Sequence, residues 1–544
     1  MTTTLIKNGL VVDGTGAPPY RASVLIEDGL VKDVISEGEG LPPADNEVDA
    51  SGKAVSPGFI DMHSHQDWIL PLQNNPEYMK PLLEQGVTTI VGGNCGISPA
   101  PITPETKDRL EKFASTAMAE PIEYSWRSFG EMLDSVKETG PAVNMAELVG
   151  HASIRYAAAH TPRGPMTEEE LGSCQDLLRK SFEQGACGLS FGLGYDPGMY
   201  SPLEELEALS RVAAEYDRPV TVHLKALSRM SPCYPPTYVK AHNVRALKDM
   251  LDVGRRAGAR MQLSHFIFVG RNSWSTADTC IEMVEKARGE GMDVMIDAFP
   301  YTAGNTTVNA PFPYWFLADI PGNYDSRLAR ARLRLELELG FRLVGFIYKD
   351  FQVMDSAVPG WEDINGLTVE QVAGKWGTTP FDALLTLSRQ SRGAATMLFH
   401  TYSGAPENEY PLELVLSRDY CLFETDTIIK SRGYPNPATL GTFPRILGEM
   451  ARDRGLFSLE EAVSRMTWKS AQRFGLSGRG KISPGMAADI VIFDPEKIND
   501  KPPVGTGPAG KPTGIESVFV NGVEVVEKGE YNGEGRPGEV LTPN

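Results

Sequence analysis

Pro57-Gly58-Phe59-Ile60-Asp61-Met62-His63-Ser64-His65 reads as a short apolar strand running into two histidines spaced i, i+2. Alternate side chains of a strand share a face, so both imidazoles can point the same way from its end. Neutral imidazole is the commonest protein metal ligand, and two on one face make half of a site. The competing reading is a pair of turn histidines, because a lone H-x-H often arises by chance. What decides between them is whether further ligands stand downstream, each at the end of its own strand.

Outward from this stretch, apolar runs alternate with amphipathic helices. Strand candidates are 58–63, 87–92, 145–150, 186–191, 220–224, 261–266, 293–298, 395–400 and 419–424. Helix starts carry capping-box patterns at Thr167–Glu170, Ser201–Glu204 and Ser458–Glu461, with Gly475 placed to end the last of these helical stretches. Repeated βα units of this number imply an eight-stranded parallel barrel. Nine candidates are one too many, so one is wrong or lies outside the barrel. Residues 320–370 fit no unit; Ser326–Leu339 is Arg/Leu/Glu-rich and helical, and an insertion is expected around 310–390.

Both ends of the chain read differently. Residues 4–36 alternate apolar and polar around Asn8-Gly9 and Asp28-Gly29, and 489–494 and 517–526 repeat the pattern. Isolated hairpins are marginal in water, so one small module built from both ends is more economical than two flanking ones. The expected fold class is therefore α/β. A (β/α)8 TIM-like barrel spans 57–479, and a small β-sandwich module is formed by 1–56 and 480–544.

Composition limits the partners. A net charge of −19 argues against nucleic acid or an anionic membrane surface. The six cysteines have no CxxC spacing, which suits a reducing cytosol better than a disulfide framework. The first residues lack a basic and then apolar leader, and no run of about 18 apolar residues could span a bilayer. A cytoplasmic protein acting on a small molecule is expected, with a homo-oligomer left open.

In a parallel barrel the active site sits at the carboxyl ends of the strands. Strand one ends in His63 and His65, the second near Cys95, the fifth at His223, the sixth at His265, and the last near Asp426. Thiolate, imidazole and carboxylate together favour zinc over magnesium or calcium. Taken singly, Cys95 reads as a buried small hydrophobe and Asp426 as a helix N-cap; six such groups at one mouth do not arise easily by chance. His151 ends the third strand and is a pocket candidate. His400 suits a loop hydrogen bond, and His160 and His242 suit solvated or capping roles.

These ligand positions, with Gly480-Lys481-Ile482-Ser483-Pro484-Gly485-Met486-Ala487-Ala488-Asp489 near the end, resemble the amidohydrolase superfamily. More narrowly, Gly93-Asn94-Cys95-Gly96, Gly150-His151 through Arg155, Tyr195-Asp196-Pro197-Gly198-Met199-Tyr200 and Gly441-Thr442-Phe443-Pro444-Arg445 resemble the N-acyl-D-amino-acid deacylases. The resemblance implies one zinc held tightly by Cys95, His223 and His265. It also implies a second, weaker position near His63, His65, Cys95 and Asp426. Amide hydrolysis follows, with zinc acidifying water and polarising the carbonyl, and Asp426 carrying the proton from the water to the leaving nitrogen. His63, His65 or His151 are candidates to hydrogen-bond the oxyanion, and His151, Tyr195, Lys225 and Tyr301 are the candidate substrate-binding residues.

Two departures bear on the substrate. The deacylases carry a lysine where this chain has Ile267, and an arginine where it has Ala438. Those cations are the groups expected to hold the substrate's α-carboxylate. Either Lys225, Lys430 or Arg432 replaces them, or the substrate has no free carboxylate. A ring-opening hydrolase of hydantoins or dihydropyrimidines shares the fold and metal chemistry, but a cysteine in place of the bridging lysine weighs against it. A non-catalytic scaffold on the same fold is a third reading; the full ligand set weighs against that one.

Overall fold

A computed structural model describes residues 2–543 except 119, 161–162, 235–239, 503–507 and 534. Eight parallel strands line up in chain order: β1 (Phe59–Asp61), β2 (Val87–Gly92), β3 (Asn144–Gly150), β4 (Gly188–Gly192), β5 (Val220–His223), β6 (Met261–Leu263), β7 (Val294–Ala298) and β8 (Cys421–Phe423). Every residue of β2 and β3 is buried, as expected where helices cover one face and barrel side chains the other. No ladder joins β8 to β1. Instead the Asp61 carboxylate accepts from Thr425 N (2.9 Å) and Thr425 Oγ1 (2.6 Å). The backbones also meet, Asp426 N donating to His63 O at 3.0 Å and His65 N to Thr427 O at 3.3 Å. The seam of this nearly closed barrel thus runs directly beneath the two histidines of the opening stretch.

Local sequence explains most of the covering helices. Thr167 and Glu170 form a reciprocal capping box at the start of Glu168–Glu183, and the Ser458 hydroxyl accepts from Glu461 N ahead of Leu459–Met466. Ser201 does not cap. Pro202 takes the N-cap position of Leu203–Glu215, and the Ser201 hydroxyl donates to Glu205 Oε1 at 2.9 Å.

The ninth strand candidate lies outside the barrel. Thr396–His400 is the centre of an antiparallel sheet, flanked by Ala303–Thr307 and Phe351–Asp355. Helices Arg327–Val344, Val369–Trp376 and Pro380–Gln390 pack on this sheet around a core of its own that includes Phe316, Leu333, Leu337, Phe351, Leu384 and Phe399. The whole lobe is threaded between β7 and β8.

A nine-stranded sheet joins the two ends of the chain. Ile490–Phe493 runs antiparallel to Ala54–Pro57, which pairs on its other side with Thr3–Val11. Ile6, Val24 and Val55 from one end share a core with Ile490, Ile492 and Phe519 from the other. Lys53 adds a charged tie, its Nζ lying 2.9 Å from Asp494 and 3.0 Å from Glu516. Among the described residues no helix is long and apolar enough to cross a membrane.

Candidate metal centre

The loop after β2 sets the geometry. Cys95 adopts φ 52°, in the left-handed region, between Gly93 and Gly96. A Cβ on Gly96 would sit 2.2 Å from Gly192 N, so only glycine lets this loop lie against the end of β4. His265 (φ 31°) and Asp426 (φ 46°) also hold left-handed backbone. Each such non-glycine residue costs on the order of 1–3 kcal/mol, and strain of this kind clusters where side chains must be aimed.

That strain brings six side chains together. Cys95 Sγ lies 3.5 Å from His265 Nε2, 3.7 Å from His223 Nδ1 and 3.4 Å from His63 Nε2. His223 Nδ1 and His265 Nε2 are 2.8 Å apart. Asp426 Oδ1 lies 3.5 Å from His63 Nε2 and 3.4 Å from His65 Nε2. The donors form two groups, Cys95/His223/His265 and His63/His65/Cys95/Asp426, that share the sulfur. Tetrahedral zinc bonds of about 2.3 Å to sulfur and 2.0 Å to nitrogen separate such donors by about 3.5 Å. The two Cys95–imidazole separations of the first group fit that figure; the His223–His265 separation is shorter. The donor set thus suits zinc.

Electrostatics agrees with geometry. Burial opposes ionisation of Cys95, but the imidazoles of His63, His223 and His265 hold its thiol well below the ordinary range. Metal binding requires that thiolate form. Burial likewise opposes ionisation of Asp426, and His65, His265 and His63 keep its carboxyl below the ordinary value. Burial alone would depress His65, yet Asp426 and Cys95 push it up to about 10. Five of the six side chains belong to buried residues; Asp426 is the exception, with 21% of its side chain exposed toward the mouth.

Behind these groups stand carboxylates that the motifs do not announce. Glu424 Oε2 approaches His63 Nδ1 to 3.0 Å, although not in hydrogen-bond alignment, and Asp297 Oδ1 lies 3.6 Å away. Asp297 also accepts from His265 N at 2.6 Å, which fixes the strained residue. Burial and neighbouring Asp297 hold Glu424 well above the usual carboxylate range. On the other flank, burial raises Asp67 to about 6, and burial together with Asp67 raises Glu147 far above its ordinary value. The signal in the sequence is thin: a lone Glu147 inside an otherwise uncharged strand, and Asp297 one residue short of a strand end.

The candidate substrate residues part company. Tyr195 is half exposed and packs its ring, tilted by 43°, 4.4 Å between centroids from His223. His151 is fully buried, its Nε2 2.8 Å from Glu205, which also pairs with Arg155. Lys225 sits beyond His223 with its ammonium 5.8 Å from the Tyr234 ring. Tyr301 is 7% exposed and donates to Asp500 at 2.9 Å. Lys430 and Arg432 both face Asp355, at 3.9 and 3.3 Å. Ile267 and Ala438, far apart in sequence, meet in one apolar cluster with Phe299 and Tyr301. Of the remaining histidines, His400 bonds Gln352 at 2.8 Å, His242 is buried at the start of its helix, and His160 is exposed.

Known proteins share this arrangement from end to end. D-aminoacylase of Alcaligenes xylosoxydans xylosoxydans is 29% identical, over 99% of this chain and 97% of its own. N-acyl-D-glutamate deacylase of the same organism is 30% identical, over 99% and 96%. The crystal structure of N-acyl-D-glutamate deacylase from Bordetella bronchiseptica, complexed with zinc and a phosphonate mimic of the tetrahedral intermediate, superposes with a TM-score of 0.79 at 29% identity, covering 99% of both chains. A model of the amidohydrolase family matches residues 46–315 and 404–526, the two stretches that carry every one of the six converging side chains, and the chain belongs to that family.

Proposed function

We propose that this protein is a zinc-dependent hydrolase of a linear amide, deacylase-like in chemistry, whose substrate lacks a free carboxylate at the position where its relatives' substrates would carry one. Cys95, His223 and His265 would hold one zinc, and His63, His65, Cys95 and Asp426 a second, weaker one. Bound there, zinc supplies acidification of water and polarisation of the scissile carbonyl. Asp426, ionised and open to the mouth, takes the proton of the attacking water and delivers it to the departing nitrogen. Glu424 and Asp297 stand behind His63 and favour its charged form, and Tyr195 covers His223 on the solvent side.

The observation that carries the hydrolase is the convergence of a partly exposed carboxylate on two imidazoles beside a thiolate. The substrate reading rests on the apolar cluster. Ile267 and Ala438 pack with Phe299 and Tyr301; the Arg445 guanidinium, 5.1 Å over the Tyr301 ring, is already paired with Glu449 and Asp500, and Lys430 and Arg432 are engaged by Asp355. A carboxylate in that cluster would lose its hydration beside cations already committed to other carboxylates, at a cost of several kcal/mol.

The test is a paired panel on zinc-quantified protein: N-acetyl-D-methionine, N-acetyl-L-methionine, and neutral N-acyl anilides and amino-acid amides. Neutral amides are expected to turn over and the acids to lag by at least about a hundredfold. Cleavage of the D-acid alone would return the substrate to that of the relatives. Around this site we read 57–479 as the catalytic barrel and 1–56 with 480–544 as one β-sandwich module, supported by the shared sheet. The six cysteines, all unpaired, suit a cytoplasmic enzyme.

A further inference from the structure

Helix Arg327–Val344 in the inserted lobe is apolar on two opposite faces. Ala329, Leu333, Leu337 and Phe341 are at most 9% exposed and seal the lobe's core. At 100° per residue, Leu328, Leu335, Leu339 and Leu343 fall on the reverse side, and they are 84%, 70%, 55% and 44% exposed. Single exposed leucines need no explanation, but four on one side of a helix over roughly 22 Å, interrupted only by Arg332, do. Tyr314 (55%), Ile320 (37%) and Ile347 (52%) extend the exposed apolar surface in the adjoining segments.

We infer that this face pairs with the same face of a second copy of the chain, the two helices antiparallel about a two-fold axis. The charges select that occupant. Arg332 and Glu336 lie along the stripe as an ion pair within the helix, 2.7 Å apart, and both also meet Trp315: Arg332 stacks 4.1 Å over its ring, and the indole N–H donates to Glu336 at 2.7 Å. A two-fold axis near Arg334 sets Leu328 against Leu339 of the second copy. The same operation sets Arg332 against Glu336 of the second copy, twice by symmetry. Parallel pairing would instead put Arg332 against Arg332 and Glu336 against Glu336. The surface is thus self-complementary in one arrangement, the isologous one. A single helix face gives part of the roughly 800 Å² per subunit that a stable dimer buries.

Sedimentation of the full chain across the micromolar range tests this. The unaltered protein is expected to be a dimer, and Leu335→Glu to weaken it by at least about a hundredfold with circular dichroism unchanged. Arg332→Glu and Glu336→Arg should each weaken self-association, because each leaves two like charges facing their own copies, and a mixture of the two variants should form heterodimers. This mixture keeps the test valid if Leu335→Glu disturbs the lobe. A monomeric unaltered protein, a dimer indifferent to Leu335→Glu, or variants that fail to associate on mixing would overturn the inference.

Discussion

The two halves of the candidate metal centre share one sulfur and differ in nearly everything else. Among the described residues, the only carboxylate hydrogen bond on the Cys95/His223/His265 side is the one that pins a backbone amide, Asp297 to His265 N. On the His63/His65/Asp426 side a carboxylate forms part of the set, Asp426, and two more approach His63 from behind. The first half is thus a compact pocket of soft donors, and the second an oxygen-rich half open to the mouth through Asp426. In the proposed function, one side would hold a cation and the other would move protons beside it. A centre divided in this way can keep its ion while its working carboxylate stays free to exchange protons with water.

Removing the shared atom should have the largest effect. Cys95→Ala takes a donor from both halves, so metal content measured by elemental analysis should collapse and kcat/KM should fall by at least about a thousandfold. Retention of near-normal zinc in that variant would break the two-sided description. Asp426→Asn separates the halves: zinc on the cysteine side should survive, while kcat falls about 10²- to 10⁴-fold. If zinc and activity were lost together, Asp426 would be a holder rather than a proton carrier. Glu424→Gln sharpens the comparison most finely. By loosening His63 alone it should weaken binding at the second position about 10- to 100-fold, seen by chelator titration, and leave the first position unchanged.

The carboxyl-end rule for parallel barrels made the six converging residues legible, because it converts strand ends into places in space. His63, His65, Cys95, His223, His265 and Asp426 needed only that rule and a sense of which side chains bind metals. Asp67, Asp297, Glu147 and Glu424 were not legible, since a carboxylate buried behind a ligand looks in sequence like any other acid. Residues 395–400 resembled a barrel strand because an apolar run is the same whether its neighbours are parallel or antiparallel; its true partners, 303–307 and 351–355, carry no mark of pairing. Ser201 looked like a cap until Pro202 took the position and Glu205 took its hydroxyl. Ile267 and Ala438 could each be read as a missing cation, but not as neighbours, because only the fold brings the segment after β6 and the helix Ala438–Arg445 to the same cluster.

The sheet that joins the two ends of the chain also sets a schedule for synthesis. Ala54–Pro57 leaves the ribosome early and finds Thr3–Val11 for one of its edges, but the other edge belongs to Ile490–Phe493. Translation at about 5–20 residues per second leaves that edge open for on the order of half a minute, while the barrel and its inserted lobe are still being made. An open edge is a template for mispairing. The vulnerable moment in this protein's production is therefore the wait for its last strands, and chaperones that shield unpaired β-structure should matter most during that interval.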